Sequence, residues 1–340
     1  MSAAERFLVT GALGCIGAWT VRALAEEGTP VVAFDKTTDA RRLRDISTPE
    51  QYASVSVING DITDLASVEA ALDEHGITHV IHLAALQVPA CRANPPLGAL
   101  VNVVGTVNVF EAVRNRGDRI RQLVYTGSMG MFGPDDGDPV TGMLEPDATP
   151  HPGNHYAVYK QANENNARIY WAEHGVSSIS LRPMTVYGPG RDFGVTSTPT
   201  KAIAAAVSGR PYTISFGGST LFQLADDVGR TLVAAARSGL TGARVYNMGG
   251  VHCSIRDFVA AIEQEVPEAR GRIDIVEQPL PFPDTISDRG MDQIGRVPIT
   301  PLVTGIHITA DFFRDQIARG VFSTEKHGLE PLEPATAATT

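Results

Sequence analysis

The chain has 340 residues, 43% of them apolar, enough for one large domain or two closely joined ones with a substantial core. A formal charge of -10 excludes nucleic acid and anionic membrane as main partners, since both require basic patches; the run Arg41-Arg42-Leu43-Arg44 reads as a solvated face. Three cysteines (Cys15, Cys91, Cys253) lack metal-ligand spacing, so neither a disulfide framework nor a metal site is expected.

In chain order, RFLVT (6–10) is a buried strand close to the start, without the basic and apolar regions of a signal peptide. No run approaches transmembrane length, and a cytoplasmic location is expected. The strand leads into TGALGCIG, where Gly11, Gly14 and Gly17 open the helix at 16–27 together with Cys15 and Ile16. The first glycine permits a tight turn, the second lets a pyrophosphate approach the backbone, and the third packs helix on strand. VVAFD (31–35) ends on Asp35, eighteen residues beyond Gly17. A carboxylate there accepts hydrogen bonds from ribose hydroxyls and repels a 2′-phosphate, which points to NAD rather than NADP. Lys36 and Arg41 to Arg44 are the cations that qualify this choice.

VSVING (55–60) precedes GDITD, with Asp61 and Ile62 at the expected adenine end, then a helix at 64–75. HVIHLAA (79–85) ends on small residues, and Leu83, Ala84 and Ala85 leave room for ribose or pyrophosphate. An apolar helix at 97–116 carries Asn102. QLVYTGS (122–128) ends on Ser128, a helix spans 155–174, and SSISLRP (177–183) forms the next strand. Strands alternating with helices predict a parallel sheet covered on both faces, with ligands at the carboxyl ends of its strands. Beyond residue 190 the Gly and Pro content rises, and helices near 199–208, 226–238 and 254–265 alternate with PYTISFGG and ARVYNMGG. The fold class is therefore α/β: a Rossmann-type doubly wound parallel sheet with a smaller C-terminal α/β substrate lobe. Residues 1–190 form the dinucleotide domain, 191–322 the lobe, partly interwoven with it, and 323–340 a disordered tail. No internal repeat is visible.

NHYAVYKQANE (154–164) places Tyr156 four residues before Lys160, in a chain with four lysines against twenty-four arginines. Four apart on a helix, the two share a face. A packed tyrosine beside a snorkelling lysine stem is the alternative reading.

TGxxGxxG, Asp35, GDI, HLAA, VNVVGTVNVFEA, Ser128, Tyr156-x-x-x-Lys160 and LRPMTVYGPG together resemble the extended short-chain dehydrogenase/reductase superfamily, in its NAD-dependent epimerase/dehydratase group. The resemblance runs from about residue 6 to 320. It implies that Tyr156 transfers the proton, that Lys160 lowers its pKa and holds the nicotinamide ribose, and that Ser128 hydrogen-bonds the substrate oxygen. It implies as well that Asn102 orients Lys160 through a water, with a buried helix asparagine as the alternative, and that Pro183 through Val186 flank the nicotinamide carboxamide. A phenol of pKa near 10 is too weak a base at neutral pH, and a nearby cation favours its ionised form. Homodimers built on helices 97–116 and 155–174 are a further implication.

The sequence departs from sugar-nucleotide enzymes where Thr185 replaces an asparagine and Thr220 an arginine that bind the diphosphate. A charge-assisted hydrogen bond of that kind is worth roughly 1.5–3 kcal/mol. Arg182, Arg191 and Arg210 remain as anion ligands, with structural or surface roles weighing more. Met129 and Gly130 stand where dehydratases carry acids, which disfavours dehydration. The expected substrate pocket is lined by Gln87, Ser128, Met129, Met184, Thr185, Phe193, Thr196 and Phe222, mostly apolar or neutral. The favoured reading is a dehydrogenase of a small polyol, sugar or sugar acid. An epimerase that retains its NAD is the alternative, and a non-catalytic NAD-binding regulator weighs least.

Overall fold

The computed structural model describes residues 4–295 and 297–329. Short Val-, Ile- and Leu-rich runs become the strands β1 (Phe7–Thr10), β2 (Val31–Asp35), β3 (Ser56–Asn59), β4 (His79–His82), β5 (Gln122–Thr126) and β6 (Ser178–Arg182). The rest are β7 (Thr185–Tyr187), β8 (Tyr212–Ile214), β9 (Ser219–Leu224), β10 (Ala243–Asn247), β11 (Val251–Ser254) and β12 (Ile273–Ile275). The seven-stranded sheet has the order β10-β6-β5-β4-β1-β2-β3, with every pairing parallel. Strand order reverses beside β1, and ligands bind at such a point, outside the carboxyl ends of the strands.

Helices cover both faces. On one side α1 (Cys15–Glu26) packs against the helix Ala225–Arg237. Their backbones approach so closely that a Cβ on Gly229 would lie 2.8 Å from the Thr20 nitrogen. On the other, Leu65–Glu74, Gly105–Arg114 and His155–His174 bury Val68, Phe110 and Ala167 against the sheet.

The lobe carries the sheets β11-β9-β7 and β12-β8. Its core is built on Tyr187, Phe222 and Phe258, the last two stacked at 4.3 Å between ring centroids. Helices Thr198–Val207, Ile255–Glu265 and Leu302–Ala318 enclose that core. ARVYN, which the sequence assigns to the lobe, is β10 and extends the main sheet beside β6.

The stretch expected as one helix over 97–116 is instead Pro95–Ala99, a π-helical turn Leu100–Val104 and Gly105–Arg114. It runs for 20 residues at hydropathy 1.4, enough by length and composition to cross a membrane, contrary to the expectation that no run approaches that length. Here its buried residues belong to the α/β core: Val109 and Phe110 pack on Leu72 and Tyr125. The tail begins later than the sequence suggests. His327 and Leu329 are buried, the His327 ring bonded to Gln316 at 2.6 Å, because Phe313 and Phe322 offer them an aromatic seat. The remainder of the expected tail, 330–340, lies outside the described residues.

Candidate active site

A cavity of about 860 Å³ runs across the carboxyl ends of β1, β2, β4 and β5 into the lobe. Its floor is the glycine loop. Gly11 has φ +65, and a Cβ there would fall 2.5 Å from the Ala84 nitrogen; one on Gly17 would strike the Gly11 carbonyl. Only glycine keeps this surface low enough for a pyrophosphate to meet the start of α1. Asp35 fastens the loop: Oδ2 accepts the Leu13 N–H at 2.9 Å and Oδ1 the Thr37 N–H at 3.2 Å. Lys36 pairs with Asp61 at 2.7 Å, which lowers the Asp61 pKa. Cys15, Ile16, Ile62, Leu83, Ala84 and Ala85 complete this half. Burial raises the Cys15 thiol pKa to about 11, so it is a neutral wall group. A cradle without side chains, leading to a ribose-facing acid at the end of β2, fits NAD.

Arg41 and Arg42, read from sequence as a solvated face, turn inward and clamp Asp192 at 2.7 Å each. The pairing occupies the cations that would otherwise welcome a 2′-phosphate. Sequence reasoning missed it because the partners lie 150 positions apart.

The chemical groups lie beyond the cradle. Asn154 caps the helix His155–His174 by accepting the Ala157 N–H at 3.0 Å, which puts Tyr156 in the first turn beside Ser128 at the end of β5. Lys160, one turn on and 5% exposed, donates to the Thr126 carbonyl at 2.7 Å. Its Nζ lies 5.8 Å from the Tyr156 ring centre. Burial lowers the lysine pKa to about 8, opposed by the charge of Glu164. Burial also raises the Tyr156 pKa, opposed by its hydrogen bond with Ser128 and by the charge of Arg191. Among the protein's own groups, desolvation therefore sets the direction of the Tyr156 shift; the depression expected from the sequence involves Lys160 together with a positive nicotinamide ring.

Glu164, another turn along, forms a buried pair with Arg182 at 2.6 Å, and Ser180 adds a bond at 2.9 Å. Arg182 is therefore structural and not an anion ligand. Asn102 fits the alternative reading, a buried helix asparagine. Its side chain accepts the Leu86 N–H at 2.7 Å and donates to the Leu86 carbonyl at 2.8 Å, gripping the loop after β4. It is absent from the cavity lining, and Lys160 donates to the Thr126 carbonyl.

Of the expected substrate-side residues, Gln87, Ser128, Met184 and Thr196 line the cavity, with Pro183 and Val186 at its wall. Met129, Thr185, Phe193 and Phe222 do not. Met129 is fully buried in a small cluster with Leu144 and Phe132, and Phe222 sits in the lobe core. Thr185 is paired on β9 and bonded to Thr220. Phe193 is 54% exposed, on the outer side of its loop. The structure brings in Arg92, His151, Arg191 and Phe282 instead. Arg191 was at least marked by its charge in a Gly-rich loop, whereas nothing local marks Phe282.

The family model "NAD dependent epimerase/dehydratase family" matches residues 7–249. A UDP-glucose 4-epimerase of Mycolicibacterium smegmatis is 31% identical over 92% of this chain and 99% of its own. The crystal structure of Thermus thermophilus UDP-glucose 4-epimerase with NAD is 27% identical, with a TM-score of 0.76 over 91% of this chain and 99% of that one. An L-threonine dehydrogenase of Cupriavidus necator, 24% identical with a TM-score of 0.74 over 93% and 99% of the two chains, shares the fold.

Proposed function

Because the chain belongs to the NAD-dependent epimerase/dehydratase family, we propose that this NAD-dependent enzyme is a net dehydrogenase of a small secondary alcohol of the polyol, sugar or sugar-acid type. When bound, NAD supplies the acceptor for the hydride that leaves the alcohol carbon. Tyr156 exchanges the proton of the substrate oxygen, and Ser128, which lines the same cavity, holds that oxygen in line. Lys160, anchored on Thr126, keeps positive charge beside the phenol, which favours the base needed for alcohol oxidation. In the reverse direction the neutral phenol is already the required acid.

The observation that carries the substrate reading is the Thr185–Thr220 pair. The two hydroxyls bond each other at 2.8 Å with neither residue exposed. Positions that carry an amide and a cation for a diphosphate in sugar-nucleotide enzymes are here closed on themselves, inside the core. The two diphosphate contacts that these positions supply elsewhere are therefore missing here, each worth roughly 1.5–3 kcal/mol when charge-assisted.

The 31% identity to a UDP-glucose 4-epimerase favours a second reading, epimerisation of a UDP-sugar with NAD retained. Thermal unfolding with NAD, UDP or UDP-glucose separates the two, because a ligand stabilises in proportion to its occupancy of the folded state. NAD should raise the Tm clearly and UDP little, with NADH released from small alcohols. A large UDP shift with epimerisation and no net NADH would overturn the proposal.

A further inference from the structure

Arg191 stands in the cavity wall on the loop that follows β7. Nη2 donates to Thr196 Oγ1 at 2.9 Å, while Nε is buried without a partner. The adjacent counter-ion, Asp192, is already taken by Arg41 and Arg42, and Arg191 forms no ion pair among the described residues. Gly194, at φ +98, lets the loop pass close to Gln87. A Cβ there would collide with Gln87 Oε1 and lie 3.5 Å from Arg191 Nη2. Arg191, Thr196 and Gln87 thus form one polar corner of the cavity, near enough to the phenol for the arginine charge to act on Tyr156.

Nη1 has no hydrogen-bond partner among the described residues, so the outer end of the guanidinium can take a ligand's oxygens beside the Thr196 bond. The planar fork of arginine matches the two oxygens of a carboxylate. The start of α1 already provides for the cofactor pyrophosphate. We propose that the substrate alcohol carries a carboxylate, as a hydroxy acid or aldonic acid does, and that Arg191 binds it with Thr196 and Gln87 alongside. This rests on the dehydrogenase reading and narrows it to acids.

The test pairs aldonates of four to six carbons with the alditols of the same skeleton. NADH formation and thermal shift in the presence of NAD are measured for wild type, Arg191→Met and Arg191→Lys. Wild type should favour the acids by about 10- to 100-fold in kcat/KM and be stabilised by them. Arg191→Met should collapse that ratio mainly through KM and abolish the acid-dependent shift, with Arg191→Lys between and NAD affinity within about twofold. If alditols turn over as well as aldonates in wild type, the carboxylate inference fails and the dehydrogenase reading stands. If Arg191→Met weakens NAD and spares the acid preference, the fork serves the cofactor phosphates and the inference fails. UDP-sugar epimerisation with no NADH from either class would overturn both.

Discussion

At the scale of single residues, the site turns on environment more than on identity. Tyr156 is a neutral phenol because burial outweighs Ser128 and the nearby charge of Arg191. Tyr156→Phe removes the proton carrier while leaving the packing of the ring, so turnover should fall by roughly 10²–10⁴-fold with NAD affinity retained. Steady-state kinetics and NAD titration check this, and wild-type turnover in the variant would refute the assignment. Asp35 holds the Leu13 N–H, and we propose that it also binds the cofactor ribose. Asp35→Ser should weaken NAD and relax discrimination against NADP. The relaxation should be partial, because Arg41 and Arg42 stay committed to Asp192. Dissociation constants for both cofactors decide it, and a wild type that prefers NADP contradicts the reading.

At the scale of elements, the apolar helix from Pro95 breaks where Asn102 reaches across to Leu86. A π-turn of this kind often marks a functional position, and here it fixes the loop that lines the cavity. Behind it, His82 at the end of β4 bonds Thr10 at 2.7 Å and Thr106 at 3.0 Å. Burial lowers its pKa to about 3. Between about pH 3 and 6.5 the unfolded chain therefore binds a proton that the folded one refuses. Stability is fully present above that window and falls as the pH drops into it, by about 2 kcal/mol at pH 5. His327, lowered to about 4 by burial, acts in the same direction. Urea unfolding at pH 7 and pH 5 should show the loss in wild type and a smaller one in His82→Gln. Equal losses would remove His82 as the cause.

At the scale of the whole molecule, an apolar stripe is left uncovered. Leu97, Leu100 and Val104 lie 43–44% exposed along the broken helix, and Val158 is 44% exposed on the neighbouring one. The two helices touch where the Tyr159 hydroxyl donates to the Pro95 carbonyl at 2.9 Å. We propose that a second copy covers this face as a homodimer, with the Tyr156 helix at the interface. Light scattering at micromolar concentration should give twice the chain mass, and Leu100→Glu should return it to one. A monomeric wild type ends the proposal.

What the sequence determined by itself was local in origin. The glycine loop, Asp35 and Ser128 are marked by short-range spacing and strand-end position, the Tyr156–Lys160 pair takes its role from the family resemblance, and the parallel sheet follows from alternating buried strands and amphipathic helices. The helix expected at about 155–174 is His155–His174, bounded by the Asn154 cap and the left-handed Gly175. What only the tertiary structure decided depends on partners far apart in the chain. The return of β10 to the main sheet, the Arg42–Asp192 clamp and the Thr185–Thr220 closure each join segments that carry no mutual signal. Met129, Thr185 and Phe222 were expected in the pocket and are not there. A strand points alternate side chains to opposite faces, and β7 and β9 turn Thr185 and Phe222 into the lobe core. Arg191 was visible as a charge, but that the neighbouring Asp192 is taken by two other arginines is decided by the fold.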